Sequence, residues 1–275
     1  MTTTWDPAGR RVLVTGASSG IGAAAAVRFG ALGARVGICA RRVDRLDETR
    51  SACLAAGAPE CRVWPLDVAD LDAVDAFGAA VVGEWGGVDC LVNNAGASRR
   101  RAMDRITRDE WDETFRVNFW SCVRLVEAFL PGMLERGDGR IVNVSSMGTR
   151  SGARNVGAYA AAKAALNHWT EALWLDLAGS GVDAKLFIPG STASEFSQDR
   201  PGNDPPVAQD PRGIMAVDDV AAALVGFACD DRAEGFASEA HAKLSAKKYA
   251  DHDAWLRTYR DMLAAAQPTR WQRPQ

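Results

Sequence analysis

Short apolar runs alternate along this chain with longer stretches whose apolar residues recur at helical spacing. The apolar runs predict strands at 11–15, 34–40, 62–66, 88–92, 140–144 and 184–188, and less clearly at 235–244. The stretches between them predict helices at 23–32, 43–56, 70–85, 108–136, 158–178 and 217–229. Such alternation is typical of an α/β domain. We therefore expect one doubly wound domain with a mostly parallel seven-stranded sheet and helices on both faces.

Three segments depart from this pattern. The run at 99–101 consists of three arginines on a predicted loop, and it is interpreted as a solvated charge run rather than a substrate anchor. Residues 195–215 are rich in Pro, Asp and Gly, which favours a loop that acts as a lid. Residues 246–275 predict a helical tail packing on the main domain (1–245) or on a neighbouring subunit. The apolar stripe of that tail consists of Trp255, Tyr259, Met262 and Leu263.

Composition and charge narrow the class of protein. The chain has 275 residues, of which 47% are hydrophobic, enough for one large core. Its 32 basic and 35 acidic residues give a formal charge of -3 and are spread along the chain, which argues against a nucleic-acid or anionic-membrane partner. Apolar runs stay below the ~20 residues of a membrane span, and the first residues do not resemble a secretory leader. A cytoplasmic protein that handles a small molecule is expected.

The side chains that usually hold metals lack suitable spacing. The six cysteines contain no Cys-x-x-Cys pair, and Cys39 and Cys90 lie in strand-like runs, where a thiol is usually a buried apolar group. His168, His241 and His252 stand apart from one another, and each is interpreted as a surface or core residue. No metal site is predicted.

A glycine-rich segment follows the first predicted strand. Its sequence is Gly16-Ala17-Ser18-Ser19-Gly20-Ile21-Gly22, and the helix at 23–32 comes next. Glycine lets the backbone approach a pyrophosphate closely, and a helix N-terminus attracts its negative charge. Strand, glycine turn and helix in this order predict a dinucleotide phosphate site.

A tyrosine and a lysine form the second motif. Three alanines separate Tyr159 from Lys163, which favours a helix and places both side chains on one face. Bringing a phenol pKa from ~10 to near neutrality requires about 4 kcal/mol. A cation about 4 Å away supplies roughly that much at an effective dielectric of ~20. The pair is therefore a candidate general acid and base, although an ordinary exposed pair has the same spacing.

Together these motifs resemble the short-chain dehydrogenase/reductase family in its compact one-domain branch. The resemblance is carried by Thr15 with the glycine segment, by Asn93-Asn94-Ala95-Gly96, and by Ser146, Tyr159 and Lys163. It implies a single Rossmann-type domain that transfers hydride between a nicotinamide and a carbonyl or alcohol carbon.

The resemblance implies four catalytic residues. Tyr159 would protonate the substrate oxygen, and Ser146 would hold that oxygen by a hydrogen bond as negative charge develops. Lys163 would lower the tyrosine pKa and bind the nicotinamide ribose. Asn118, in a locally distorted helix, would connect the lysine to solvent through a water. Ser145 is the reserve candidate for the serine.

The same resemblance implies the cofactor contacts. Arg41 and Arg42 follow the second strand, where an acid would accept from a ribose 2′-hydroxyl and an arginine fits a 2′-phosphate. NADP(H) is therefore expected, unless the two arginines are merely solvated. The Asn-Asn-Ala-Gly turn is expected mainly to stabilise the sheet beside the cofactor. The other implied contacts are Gly16, Ser18, Ser19, Gly20, Ile21, Gly22, Asp67, Val68, Asn94, Ala95, Gly96, Tyr159, Lys163, Pro189, Gly190 and either Thr192 or Ser194.

The sequence thus predicts an NADPH-dependent carbonyl reductase, or a secondary alcohol dehydrogenase in reverse. The alternatives are an NAD-dependent alcohol dehydrogenase, an epimerase or dehydratase, and a catalytically silent NADP-binding protein that regulates or scaffolds a partner. The resemblance further implies a homodimer or homotetramer formed through the helices at 108–136 and 158–178.

Overall fold

The computed structural model of the protein describes residues 5–151, 154–197, 202–204 and 213–266. Its strands are β1 (Arg11–Thr15), β2 (Arg35–Ala40), β3 (Cys61–Pro65), β4 (Cys90–Asn93), β5 (Gly139–Val144), β6 (Val182–Ile188) and β7 (Glu234–Phe236). They form one seven-stranded sheet in the order β3-β2-β1-β4-β5-β6-β7, and every neighbouring pair is parallel. The predicted doubly wound sheet is confirmed.

Helices connect the strands and cover both faces of the sheet. They are α1 (Gly20–Ala31), α2 (Val43–Ala56), α3 (Leu71–Trp85), α4 (Arg108–Phe115), α5 (Ser121–Arg136), α6 (Gly148–Ser151), α7 (Gly157–Asp176), α8 (Val217–Cys229), α9 (Glu239–Ala250) and α10 (His252–Ala266). A π-helical turn, Arg116–Trp120, joins α4 to α5, and a short 3-10 turn covers Glu195–Ser197.

The core consists of two apolar layers separated by the sheet. In β1, Val12 and Val14 belong to the layer under α1, α2 and α8, whereas Leu13 belongs to the layer under α3 and α5. A strand buried on both faces needs apolar residues at every position, which explains why β1 reads as a continuous apolar run. The strand order reverses between β1 and β4, which opens a crevice at the carboxyl ends of these strands.

The predicted strand at 235–244 is wrong for most of its length. Only Glu234–Phe236 pairs with β6, and α9 begins at Glu239. The side chain of Ser238 accepts a hydrogen bond from the backbone of His241, which caps the helix. Local capping therefore ends the strand earlier than the apolar pattern suggests.

The two remaining predicted segments are only partly described. Of the lid at 195–215, residues 198–201 and 205–212 lie outside the described residues. In the tail, α10 lies against α9, and the rings of Trp255 and Tyr259 stack with centroids 5.7 Å apart. Met262 is 49% exposed, and the side chain of Leu263 is not described. That the tail packs on the domain or on a second subunit stays a prediction.

Candidate active site

The π-helical turn between α4 and α5 holds Asn118, and it is the predicted local distortion of the helix. The Asn118 amide donates to the carbonyls of Ala97 (3.0 Å) and Thr114 (2.9 Å), and its oxygen accepts from the Ala97 N–H (3.2 Å). The side chain is fully buried. Asn118 thus joins the helix to the loop that follows β4.

The end of β5 brings a serine to Tyr159. The hydroxyl of Ser146 hydrogen-bonds the Tyr159 side chain and accepts from the Gly148 N–H at 3.0 Å. A Cβ on Gly148 would lie 3.3 Å from that hydroxyl oxygen, which is a tight contact. Ser145 instead hydrogen-bonds Asn167. Of the two candidate serines, Ser146 is therefore the one placed at the tyrosine.

The pKa of Tyr159 is shifted opposite to the direction predicted from the sequence. Burial raises the pKa to about 12, and the hydrogen bond with Ser146 offsets only part of that rise. The Lys163 ammonium donates to the carbonyl of Val144 at 2.8 Å. Burial lowers the pKa of this lysine, while nearby Cys122 raises it. Desolvation of the phenol therefore outweighs the stabilisation that the Tyr-Lys spacing suggested.

The glycine turn has the shape that a pyrophosphate requires. Gly16 has a φ of +68°, and a Cβ on it would lie 2.8 Å from the Cα of Ala95. A Cβ on Gly22 would lie 2.4 Å from the amide nitrogen of Asn94. Ser19 precedes α1 without a side-chain cap, and the first turn holds no acidic residue. The backbone amides at this helix end therefore fit a phosphate.

The turn after β4 is hydrogen-bonded to Thr15, directly before the glycine segment. The hydroxyl of Thr15 accepts from the backbone N–H groups of Asn94 (3.0 Å) and Ala95 (2.9 Å), and the Asn94 amide donates to the Thr15 carbonyl (2.9 Å). These bonds fit the expected sheet-stabilising role.

Two other implied cofactor contacts belong to the core. Ile21 and Val68 are partly buried and pack on the two apolar layers.

The two arginines after β2 take different positions. Arg41 is largely exposed, and one of its guanidinium nitrogens lies 3.8 Å from the carboxylate of Asp67. Arg42 contacts the hydroxyls of Ser18 (3.2 Å) and Ser19 (2.8 Å). A cavity of about 600 Å³ is lined by Arg41, Trp64, Pro65, Leu66, Asp67, Ala73, Ala76, Phe77 and Ala80. Arg41 thus lines a cavity at the expected adenosine end of the cleft, whereas Arg42 lies at the glycine turn.

The segment after β6 approaches the glycine turn from the opposite side. The Pro189 carbonyl accepts from the Met147 N–H at 2.9 Å, next to Ser146. The hydroxyl of Thr192 donates to the Gly190 carbonyl at 3.0 Å. The Cβ of Ser194 lies 3.2 Å from the position that a Cβ on Gly20 would occupy. Of the two alternatives for the nicotinamide contact, Ser194 is the one with a contact at the glycine turn.

Two residues at the site are not identified by any motif in the sequence. The ring of Phe196 lies 5.8 Å from that of Tyr159, and it also approaches Gly96. His241 of α9 is 2% exposed and packs so closely on Gly190 that a Cβ there would lie 2.2 Å from Nε2. Gly190 leaves room for a ring to pack on it, but the sequence does not indicate which ring this is.

The interpretation of residues 99–101 as a solvated run is wrong. Arg100 is only 8% exposed, its Nε donates to the Asp204 carbonyl at 3.1 Å, and its N–H donates to the Asn203 side chain at 3.0 Å. Arg101 pairs with Glu110 at 3.1 Å. Hydrogen bonds from Arg100 to Asn203 and Asp204, and the ion pair of Arg101 with Glu110, hold the run in place and fix residues 202–204 beside it.

Within the described ranges, no cluster of His, Cys, Asp and Glu side chains is arranged to hold a metal ion. Among the same residues, none of the helices combines the length and apolar character needed to cross a bilayer. His168 is exposed on α7, 3.7 Å from Glu171.

The sequence is similar to one family of known proteins. Residues 10–204 match the family model described as short chain dehydrogenase. A fatty acyl-CoA reductase of Mycobacterium tuberculosis is 40% identical over 189 residues, which are 67% of this chain and 64% of that protein. An uncharacterized oxidoreductase of Mycobacterium bovis is 42% identical over 171 residues, 60% of this chain and 50% of the relative. The chain thus spans between half and about two thirds of the length of these curated relatives.

Solved structures with the same fold include cofactor complexes. A metagenomic short-chain oxidoreductase in complex with NADP is 30% identical, with a TM-score of 0.69 over 84% of this chain and 96% of that one. A variant of the actinorhodin polyketide ketoreductase with NADPH is 37% identical, with a TM-score of 0.65 over 68% of this chain and 72% of that one.

Proposed function

The chain belongs to the short-chain dehydrogenase family, and we propose that it is an NADPH-dependent carbonyl reductase. The observation that carries this proposal is the buried Tyr159, which is hydrogen-bonded to Ser146 and lies one helical turn from Lys163. A phenol with a pKa of about 12 is protonated at neutral pH, which is the form that can donate a proton. Tyr159 is therefore in the protonation state that carbonyl reduction requires.

NADPH, when bound, supplies the hydride that reduces the carbonyl carbon. The Tyr159 hydroxyl would give its proton to the carbonyl oxygen as negative charge develops there. Ser146 donates a hydrogen bond to the same oxygen and so stabilises the developing charge. Lys163 is held by the Val144 carbonyl near the expected nicotinamide ribose. Asn118 fixes the loop after β4 through its two hydrogen bonds with the backbone of Ala97.

Two observations support NADPH as the cofactor. Arg41 and Arg42 flank the expected 2′-phosphate position, and neither lies beside an acidic neighbour in sequence that would accept from a 2′-hydroxyl. Two of the solved relatives are named as complexes with NADP or NADPH. One of these relatives is a polyketide ketoreductase, which favours a ketone as the substrate class.

A screen of ketones and aldehydes tests the proposal. Consumption of NADPH is followed by its absorbance with the purified full chain and each carbonyl compound, with NADH in parallel. We expect NADPH-dependent reduction of some ketones. NADPH that stays intact across a broad panel, although it binds the protein, would favour the catalytically silent alternative.

We further propose that the protein forms a homodimer or homotetramer through α4, α5 and α7. Four large apolar side chains on α5, on α7 and in the π-helical turn before α5 are strongly exposed: Trp120 (47%), Leu134 (44%), Trp174 (44%) and Leu175 (59%). Exposed aromatic residues are enriched at protein–protein interfaces. A second copy of the same surface would bury them.

A further inference from the structure

The hydrogen bond between Ser146 and Tyr159 joins two separate elements of the fold. Ser146 lies in the turn between β5 and α6, whereas Tyr159 lies near the start of α7. The distance between the two hydroxyls therefore depends on how this turn is held against α7. A side chain that binds the turn to the helix can set the geometry of the catalytic pair.

Three successive residues at the end of β5 are hydrogen-bonded to side chains of α7. The pairs are the side chain of Asn143 with Thr170 (2.9 Å), the carbonyl of Val144 with Lys163 (2.8 Å), and the hydroxyl of Ser145 with Asn167. Of the three bonds, the one between Ser145 and Asn167 is directly beside Ser146.

Asn167 also binds the far side of the turn. Its amide nitrogen donates to the Thr149 hydroxyl at 3.1 Å, and that hydroxyl donates to the Ser146 carbonyl at 2.8 Å. One carboxamide thus binds a residue on each side of Ser146, because its oxygen accepts from Ser145. Asn167 lies about two helical turns after Tyr159 on the same helix, so it connects the turn to the element that carries the phenol.

The turn has other anchors, but they run to β6 and to the residue that follows it. The N–H of Ser145 donates to the Phe187 carbonyl (2.7 Å), and the N–H of Met147 donates to the Pro189 carbonyl (2.9 Å). These bonds preserve the fold of the turn without fixing its distance from α7. Loss of the half-buried Asn167 carboxamide should therefore leave the turn folded and let it shift relative to the helix.

We propose that Asn167 is a positioning residue for carbonyl reduction, which holds the Ser146 hydroxyl at hydrogen-bonding distance from Tyr159. The inference rests on the proposed function, which gives these two hydroxyls their roles at the substrate oxygen. A donor stabilises developing charge only when it is aimed at the reacting oxygen, so a small displacement of Ser146 is costly. A misplacement of about 1 Å can lower a rate by about 10²-fold.

Steady-state kinetics with one reducible ketone and NADPH test the inference in the full chain. Asn167→Leu introduces a side chain of similar size and removes both hydrogen bonds. We expect it to lower kcat by about 10- to 10²-fold, while the dissociation constant of NADPH changes by less than about twofold. In a Ser146→Ala background, the same substitution should lower kcat by less than about twofold, because no hydroxyl remains to be positioned. A merely structural role would give a similar loss in both backgrounds.

The matched control is Thr170→Val, which also removes one hydrogen bond between β5 and α7. Thr170 binds Asn143, which lies before the turn. We expect a lower midpoint of urea denaturation and a kcat within about twofold of that of the unmodified protein. A loss of kcat like that of Asn167→Leu would show that any weakened contact between this strand and this helix has the effect, and it would overturn the specific role of Asn167.

A crystal structure of Asn167→Leu separates this inference from the proposed function, because it requires no activity. We expect the hydroxyls of Ser146 and Tyr159 to lie beyond the ~3.0 Å of an O–H···O hydrogen bond. Retention of that bond, or an unchanged kcat, would overturn the inference. If the unmodified protein reduces no ketone while the variant loses the bond, the proposed function fails and the role of Asn167 in holding Ser146 stands. If Asn167→Leu does not fold, Thr149→Val, which removes the second bond from its other end, is measured in the same way.

Discussion

Carbonyl reduction by this protein should be insensitive to pH over a wide range, whereas the reverse oxidation should accelerate steadily as the pH rises. The reason is the pKa of Tyr159, which burial raises to about 12 against the smaller lowering by Ser146. Reduction needs the protonated phenol, which is still about 99.9% of the population at pH ~9. Oxidation needs the phenolate, which is only about 10⁻⁵ of the population at pH ~7 and increases tenfold with each pH unit.

The assay is kcat/KM for one ketone with NADPH and for its alcohol with NADP⁺, measured from pH ~6 to ~10 at constant ionic strength. The logarithm for the alcohol should rise with a slope of about one and reach no plateau, while that for the ketone stays flat. The Tyr159→Phe variant is the control, and its residual rate should lose this dependence. A plateau for the alcohol near pH ~7 to ~8 would refute the reasoning, and it would show that Lys163 sets the phenol pKa as the Tyr-Lys spacing suggests.

Three further predictions concern the cofactor, the packing beneath it and the assembly. Arg41→Asp should reverse the preference for NADPH, as steady-state kcat/KM with both cofactors will measure. The native Arg41 should favour NADPH by about tenfold, the low end expected for a charge-assisted hydrogen bond, because its side chain is 66% exposed. Gly190→Ala should lower the free energy of unfolding by about 1–3 kcal/mol, because the new Cβ clashes with His241. Denaturant titration measures this loss, and a smaller loss in a His241→Ala background would confirm the contact. Trp174→Glu should reduce the mass measured by light scattering if α7 forms the interface, and an unchanged oligomer would exclude this surface.

Much of the fold is predictable because its signals are local. The strand at 11–15 and the helix at 217–229 have the predicted bounds. A strand buried on both faces requires consecutive apolar residues, and a helix buried on one face requires apolar residues at helical spacing. The helix at 239 also has a local signal that the apolar pattern obscures. Ser238 before Glu239 is a typical helix start, and lysines lie in the last turn.

The candidate site is predictable only where its residues belong to motifs. Ser146 and Tyr159 meet because the end of β5 and the start of α7 meet at the same sheet edge. The Arg42–Glu195 pair joins residues 153 positions apart, and no spacing rule connects them. The burial of Arg100 depends in the same way on Asp204. The direction of the Tyr159 pKa shift also depends on burial, which a sequence motif does not contain.

The central claim is that Tyr159 donates a proton to a carbonyl oxygen while NADPH is oxidised, and one comparison tests it most directly. Turnover of a reducible ketone and the dissociation constant of NADPH are measured for the unmodified protein and for Tyr159→Phe. Phenylalanine keeps the ring packed against Phe196 but has no proton to give. We predict nearly unchanged NADPH affinity and a turnover lowered by at least about 10²-fold. Turnover like that of the unmodified protein would contradict the mechanism.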